Sequence, residues 1–139
     1  MNAMIRVLGV TAALALPASA LSQDRAPALK GHDPVAYFVD GKPVKGTASL
    51  VYEFDDSRYY FSKVKHRELF AANPERYVPQ FSGLCTAGLA KGMRAEANPG
   101  VWKIVDGKLY IFSSVSAREA VDKDPSLLAK AHQNFKASN

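Results

Sequence analysis

The chain has 139 residues, with 18 Lys and Arg against 13 Asp and Glu, which gives a formal charge of +5 and a length typical of one domain. The basic residues are scattered along the chain and form no Lys/Arg block interleaved with aromatic residues, so the composition disfavours nucleic acid as a partner. A single cysteine, Cys85, excludes a disulfide within the chain.

The first twenty residues have the pattern of a secretory signal peptide. Arg6 precedes an apolar run over residues 7–16, and Pro17 precedes the small residues Ala18-Ser19-Ala20. The run is shorter than the stretch of about 20 residues that spans a bilayer. The sequence therefore predicts cleavage after Ala20, a periplasmic or secreted protein, and no integral membrane segment after cleavage. A retained N-terminal anchor is the alternative.

Three apolar segments after this region predict β-hairpins. Residues 21–30 are predicted to form a leader and residues 31–139 the folded domain. The segment "PVAYFVDGKPVKG" (34–46) predicts two short strands around Asp40-Gly41, and "LVYEFDDSRYYFS" (50–62) predicts two strands around Asp55-Asp56-Ser57. The third, "VWKIVDGKLYIFS" (101–113), predicts a tight turn at Asp106-Gly107.

The second and third hairpins belong to a longer similarity within the chain. Residues 51–77 align on residues 102–128 at an offset of 51, with eight identical pairs. Both segments are predicted to contain a hairpin, a Phe-Ser pair, a helix, a proline and a second helix. Ser62 and Ser113 are predicted to cap the helices that follow them. The alignment predicts an internal hairpin-helix pseudo-repeat, and convergence on a common local unit is the alternative.

His66 is the first candidate for a functional residue. On the predicted helix its face also carries Leu69 and Phe70, so the imidazole points toward the apolar side. At the offset of 51 its counterpart is Ala117, which indicates that the helix can pack without a histidine there. A core histidine with a hydrogen-bonded ring is one interpretation, and a site residue is the favoured one.

An ordered set of motifs resembles the YHS-domain family, in particular its exported single-domain members. The motifs are "HDPVAYF" (32–38), "YYFS" (59–62), "KHRELFAANPERYVPQ" (65–80), "FSGLCTAG" (81–88) and "VWKIVDGKLYIF" (101–112). The resemblance runs from about Gly31 to the C terminus. It implies a small α+β domain of antiparallel β-hairpins with short helices, treble-clef-like, and a role in binding heavy metals.

The resemblance also implies where metal ligands would lie. The three metal-binding cysteines of the family correspond to Ala36, Ser62 and His66 in this chain, so a closed zinc site of thiolates is not implied. His66 and Cys85 are left, with Met93 as a third donor. Imidazole, thiolate and thioether are ligands that suit a copper ion, with zinc as the alternative. For Met93 the alternative is a packing role, and for Cys85 it is a buried, inert thiol.

Four other residues are weaker candidates. Asp33 and Tyr37 would approach the same place if the first predicted hairpin packed on the helix of His66; otherwise they are a turn acid and a core aromatic residue. His32 precedes the "DPV" motif and is interpreted as a loop histidine. His132 lies beside the apolar face of the last predicted helix, residues 125–135, and is interpreted as a partly exposed surface histidine.

These features together predict the function. The chain lacks the G-x-S-x-G motif, the P-loop and the dinucleotide fingerprint, so the sequence favours a non-enzymatic protein. We expect an exported domain that binds copper at His66, Cys85 and Met93, for metal tolerance or for delivery to a metal-handling or membrane-associated partner. Two alternatives stay open: a metal-free protein-interaction or structural domain with a degenerate metal site, and a thiol redox enzyme that uses Cys85.

Overall fold

The computed structural model describes residues 25–139, and the predicted signal peptide lies outside them. Residues 27–78, the first half, and residues 79–137, the second half, contain the same order of elements. The first half has a left-handed turn (Ala28–Gly31), helix α1 (Ala36–Val39), strands β1 (Thr47–Phe54) and β2 (Ser57–Phe61), and helices α2 (Val64–Ala72) and α3 (Pro74–Tyr77). The second half has a left-handed turn (Gln80–Gly83), helix α4 (Thr86–Ala90), strands β3 (Asn98–Val105) and β4 (Lys108–Phe112), and helices α5 (Val115–Lys123) and α6 (Ser126–Ala137).

The strands form two antiparallel sheets of two strands each, β1 with β2 and β3 with β4. The fold is therefore α+β with small hairpin sheets and short helices, as the sequence predicts. The second and third predicted hairpins are confirmed, with Phe54 paired to Ser57 and Val105 paired to Lys108 across the turns. In each turn both central residues have positive φ, which matches the right-handed twist of the flanking strands.

The first predicted hairpin is wrong. Residues 36–39 form helix α1, and only an isolated bridge joins His32 to Lys45 in this region. The Asp33 carboxylate accepts hydrogen bonds from the backbone N–H groups of Val35 (2.9 Å) and Ala36 (3.2 Å), which starts a helical turn. This local side-chain bond outweighs the strand preference of the apolar residues that follow.

The strands of the two halves, and the helix that follows them, lie at corresponding positions in the sequence. The bounds of both strands and of the helix that follows them differ by 51 residues, and the pairing register breaks at the same step, after Thr47 and after Asn98. The left-handed turns differ by 52 residues, each with three successive positive φ values that end on a glycine, Gly31 or Gly83. Left-handed backbone costs a non-glycine residue about 1–2 kcal/mol, so these turns depend on packing around them.

That packing shows where the folded region begins. Leu29 in the first turn is 7 % exposed and lies in the main core, and Phe81 in the second turn lies in the same core. The folded region therefore reaches back at least to Ala28, ahead of Gly31, at which the sequence places the start of the domain.

Each half has its own hydrophobic cluster. In the first half the Phe70 ring packs against four aromatic rings from the hairpin, at centroid distances of 4.9–6.3 Å. In the second half β4 is buried, and it contacts α4, α5 and the left-handed turn of its own half as well as α3 of the first half. Tyr37 joins the halves, because its hydroxyl donates to the Pro99 carbonyl oxygen (2.7 Å) and its ring lies edge-on to Trp102. No helix within residues 25–139 is long and apolar enough to cross a membrane.

The predicted helix caps are wrong by one residue. Lys63 is the N-cap of α2 and makes no capping bond through its side chain. In the second half Ser114, rather than Ser113, caps α5, with Oγ accepting a hydrogen bond from the Ala117 N–H (3.1 Å). Ser62 and Ser113 are not caps, because the Ser62 hydroxyl bonds to Asp33 and the Ser113 hydroxyl bonds to Cys85.

Candidate functional site

A buried carboxylate organises the surroundings of His66. Asp33 is fully buried, and its Oδ2 accepts hydrogen bonds from the Ser62 backbone N–H (2.9 Å) and the Ser62 hydroxyl (2.7 Å). His66 Nδ1 lies 2.7 Å from the same oxygen. Together with the Val35 and Ala36 N–H groups on Oδ1, these bonds tie the first turn to the junction of β2 and α2. Asp33 therefore lies in a turn and also contacts His66, although the first hairpin, on which the sequence made that approach depend, does not form.

The contact with Asp33 determines what the imidazole can do. An ionised carboxylate only accepts hydrogen bonds, so Nδ1 carries a proton, and in the neutral form of the ring Nε2 has a free lone pair. Within the described residues Nε2 has no hydrogen-bond partner in the protein. Metal-binding histidines usually donate their second ring nitrogen to a carboxylate in this way. The geometry suits a ligand at Nε2 and equally suits a purely structural network.

The negative charge of Asp33 also affects Tyr37. Burial, and in addition the charge on Asp33, raises the pKa of the Tyr37 hydroxyl far above its usual value. The hydroxyl is therefore neutral and donates its proton to the Pro99 carbonyl oxygen. Tyr37 packs between the halves as a core aromatic residue, which is the second of the two interpretations that its sequence position allows.

Cys85 occupies the corresponding place in the second half. The residue is 1 % exposed, and it lies immediately before α4. Its Sγ accepts a hydrogen bond from the Ser113 backbone N–H (3.2 Å) and lies 3.3 Å from the Ser113 hydroxyl. The Cys85 N–H donates to the Ala95 carbonyl oxygen (3.0 Å), just as the Asp33 N–H donates to Val44 (2.8 Å).

A cavity of about 300 Å³ adjoins the thiol. Cys85 and Met93 both line it, and Met93 is 54 % exposed at the surface. Ala117, the counterpart of His66, lines it too. The remaining lining residues are small or polar: Ala87, Gly88, Lys91, Ala95, Ser113, Ser114, Ser116 and Ala120. The second half therefore has an open space beside its thiol where the first half has an imidazole beside its carboxylate.

The structure divides the three predicted metal ligands between the two halves. Cys85 and Met93 line one cavity, whereas the described hydrogen bond of His66 goes to Asp33 in the first half. Within residues 25–139 no group of three or more His, Cys, Asp or Glu side chains is placed to hold a metal ion. A site shared by His66 and Cys85 stays a prediction, and no described contact joins the two side chains.

The other two histidines have partners of their own. His32 Nδ1 lies 2.9 Å from the Leu29 carbonyl oxygen at the first turn. His132 is partly buried against the Phe81 ring, and its Nε2 lies 2.9 Å from the Tyr110 hydroxyl. Burial, followed by the charge on Lys108, lowers the pKa of His132, so the ring is neutral and its Nε2 accepts a hydrogen bond from the Tyr110 hydroxyl. His132 thus helps to hold α6 on the second half.

Sequence reasoning missed Ser113 as the partner of the thiol. The signal was present, because Pro27, Gly31 and Asp33 have the same spacing as Pro79, Gly83 and Cys85. This similarity has an offset of 52 rather than 51, so the alignment of the hairpins alone does not extend to it. With the two offsets combined, Asp33 corresponds to Cys85 in the same way that Ser62 corresponds to Ser113.

Comparison of the chain with protein families, with curated proteins and with solved structures finds no match. The resemblance to YHS-domain proteins therefore stays a prediction that depends on its sequence motifs. The chemistry of the site has to be inferred from its own geometry.

Proposed function

We propose that the protein is an exported YHS-like domain that binds copper(I) reversibly through Cys85 and Met93, for copper tolerance or delivery, without catalysing a reaction. The observation that carries the proposal is that Cys85 and Met93, the two sulfur-containing residues of the folded region, line one cavity. Thiolate and thioether are the soft donors that copper(I) prefers. The treble-clef-like architecture and the duplication of the hairpin-helix unit belong to the same proposal.

An incomplete ligand set suits transfer better than storage. Zinc in a structural site takes four ligands, whereas this cavity offers two sulfur donors and a wall of small residues. Met93 lies at the surface and Cys85 at the buried end, so an incoming ion meets the thioether before the thiol. A metal-handling partner protein is expected to supply or remove the ion by exchanging its own ligands for these two.

Competition with a chelator tests this proposal. Purified protein is titrated with copper(I) in the presence of a chromophoric chelator, and the dissociation constant is measured for the wild type, Cys85→Ser and Met93→Leu. We expect Cys85→Ser to abolish stoichiometric binding and Met93→Leu to weaken it by about tenfold, which is about 1.4 kcal/mol. Unchanged affinity in Cys85→Ser would contradict the proposal.

His66→Ala determines whether the histidine shares the site. If copper binds only in the second half, His66→Ala leaves the copper affinity of the folded protein unchanged. A loss as large as that of Cys85→Ser would instead support the ligand set of His66, Cys85 and Met93 that the sequence predicts. Circular dichroism of each variant shows that the protein is folded before its affinity is compared.

Ala117→His provides a gain-of-ligand variant. The substitution places in the second half the side chain that the first half has at its counterpart position, on the wall of the cavity that Cys85 lines. A nitrogen donor beside the two sulfur donors should raise copper affinity by at least about tenfold. A decrease would show that the cavity itself, rather than its sulfur atoms, is needed for the metal.

One observation favours a second candidate function. His66 is hydrogen-bonded to Asp33, and its counterpart in the second half is Ala117, which cannot bind a metal. These features suit a protein-interaction or structural domain whose metal site has degenerated. In that case purified protein carries no stoichiometric copper or zinc, and its melting temperature is the same with and without a chelator. A thiol redox enzyme is supported less well, since a single cysteine has no resolving partner in its own chain.

A further inference from the structure

Four donor groups in the first half hold one anionic side chain. The Ser62 N–H and hydroxyl bind Oδ2 of Asp33, at 2.9 and 2.7 Å. The Val35 and Ala36 N–H groups bind Oδ1, at 2.9 and 3.2 Å. These bonds explain how a carboxylate can be fully buried, because a buried charge is tolerated only when its oxygen atoms are hydrogen-bonded.

The second half has groups at the counterpart positions around Cys85. The Ser113 N–H donates to Sγ (3.2 Å), and the thiol donates to the Ser113 hydroxyl (3.3 Å), which can itself donate to a stronger acceptor. The N–H groups of Ala87 and Gly88 stand in the first turn of α4, at the counterpart positions of Val35 and Ala36, and the Cys85 side chain makes no capping bond to this helix. A thiol sulfur is a weak acceptor, so this donor set exceeds what an unmodified cysteine can use.

The second half also has room for additional atoms beside the sulfur. His66 occupies this side of the carboxylate in the first half, whereas Ala117 leaves the cavity of about 300 Å³ that Cys85 lines. Two observations support a modified Cys85. The first is that the corresponding groups of the first half hold a carboxylate. The second is the open space beside Cys85. Both indicate a group at position 85 with oxygen atoms and a negative charge.

We propose that Cys85 is an oxidation site, at which hydrogen peroxide converts the thiol to a sulfinate that is the second-half counterpart of the Asp33 carboxylate. In the first step sulfur attacks one peroxide oxygen, the O–O bond breaks, and the thiol proton leaves with the second oxygen as water, which gives a sulfenic acid. A second hydrogen peroxide molecule repeats the oxygen transfer and releases a second water. The resulting sulfinic acid loses its proton to solvent, and each step oxidises sulfur by two electrons and reduces one peroxide.

The sulfinate resembles a carboxylate in the features that the donors recognise. It is an anion with two oxygen atoms on one centre, so one oxygen can accept from Ser113 and the other from the N–H groups of Ala87 and Gly88. Oxidation is therefore expected to leave the fold intact, whereas a new charge in an ordinary core position would unfold it. It also replaces a soft sulfur donor with a hard oxyanion, so the oxidised protein is no longer a soft-metal ligand at this position.

Cys85→Asp tests whether the donors accept an anion. We expect this variant to fold with a melting temperature within a few degrees of that of Cys85→Ala. Ala131→Asp is the matched control, because it buries a carboxylate at a fully buried position in the core of the same half, and we expect it to unfold the protein or to lower the melting temperature by more than about 10 °C. Equal damage in Cys85→Asp and Ala131→Asp would overturn the proposal.

Ser113→Ala distinguishes use of the donors from simple tolerance. We expect Ser113→Ala to lower the melting temperature more in the Cys85→Asp background than in the Cys85→Ala background, because only the aspartate can accept a hydrogen bond from the Ser113 hydroxyl. The same loss in both backgrounds would show that the serine does not bind the anion, and the proposal would fail.

Treatment of the wild-type protein with hydrogen peroxide tests the chemistry directly and does not depend on any variant folding. Metal-free protein is oxidised in the presence of a chelator, and the modified residue is identified by peptide mass spectrometry, with Cys85→Ala as the control for methionine oxidation. We expect the mass of two oxygen atoms on Cys85 and an unchanged circular dichroism spectrum. Oxidation confined to methionine, or unfolding that accompanies oxidation of Cys85, would overturn the proposal, whatever the copper titration shows.

Discussion

The first and second halves have the same order of elements and different side chains at the buried position that joins the turn to the second strand of each hairpin. In the first half Asp33, Ser62 and His66 close this position with a network of hydrogen bonds. In the second half Cys85 and Ser113 occupy it, and the missing imidazole leaves a cavity. The turns and hairpins form the common frame, and one side chain on the helix, His66 or Ala117, accompanies either a hydrogen-bonded network or a cavity.

The cores of the halves differ in a similar way. Phe70, at the centre of the first cluster, contacts the aromatic rings of β1 and β2, whereas its counterpart in the buried core of the second half is the much smaller Val121. The long helix α6 covers the second half, while α3 in the first half has a single turn. The first half therefore depends more strongly on each of its large side chains.

Removal of the buried carboxylate is expected to have the largest effect. Asp33→Ala leaves the hydroxyl and N–H groups of Ser62, the His66 ring and two further N–H groups without their acceptor, so we expect the free energy of unfolding to fall by about 3–5 kcal/mol. Cys85→Ala, the matched change in the second half, removes only weak bonds to sulfur and should cost about 1–2 kcal/mol. Chemical denaturation measures both, and equal losses would contradict the comparison of the two sites.

Truncation of the central core residue of each half comes next. Phe70→Ala is expected to lower the free energy of unfolding by about 3–5 kcal/mol, because it removes a buried ring that packs on four others. Val121→Ala removes only two methyl groups at the counterpart position and should cost about 2 kcal/mol. Urea denaturation measured for both variants would show whether the halves differ, and a larger loss in Val121→Ala would reverse the proposed dependence.

Exchanging aspartate and glycine at the second turn residue is expected to have opposite effects on stability in the two hairpins. Asp56 has φ of 59° at the position where the second half has Gly107, with φ of 74°. Asp56→Gly removes side-chain strain in this backbone conformation and should raise stability by about 0.5 kcal/mol, whereas Gly107→Asp should lower it by about 1 kcal/mol. Thermal denaturation of the pair provides the test, and a loss of stability in Asp56→Gly would show that the aspartate side chain contributes to its turn.

The smallest expected effect is a pH dependence that belongs to the second half. Burial lowers the pKa of His132 in the folded state, so the unfolded chain binds the proton more readily, and stability falls as the pH drops below about 6.5. The ring is partly exposed, so the loss should be a few tenths of a kcal/mol. His132→Gln, which keeps an acceptor for Tyr110, should reduce the slope between pH 7 and pH 5, and an unchanged slope would assign the dependence to other groups.

Local signals predicted much of the framework. The Asp106-Gly107 turn between alternating runs identified the hairpin of β3 and β4, and aromatic runs around Asp55-Asp56 identified that of β1 and β2. The same kind of signal failed at residues 36–39, because the Asp33 side chain binds its own backbone and starts a helix in an apolar run. It failed by one residue at the caps, where Ser62 and Ser113 have partners from distant segments.

The candidate site was predictable only in part. Sequence comparison within the chain identified His66 as dispensable for helix packing, since Ala117 stands at its counterpart. It brought Asp33 near His66 only through a hairpin that does not form, and it did not identify Ser113 as the partner of Cys85. These pairs lie 33 and 28 residues apart, and such contacts depend on the path of the whole half rather than on neighbouring residues.

The sequence by itself determined the fold class, the two β1-β2 and β3-β4 hairpins and the residue types available for chemistry, because turn geometry and side-chain alternation act over a few residues. Only the tertiary structure decided which of these residues meet. It paired His66 with a buried carboxylate and placed Cys85 and Met93 on one cavity. The physical reason is burial, since a charged or polar group removed from water must find its partners wherever the folded chain brings them.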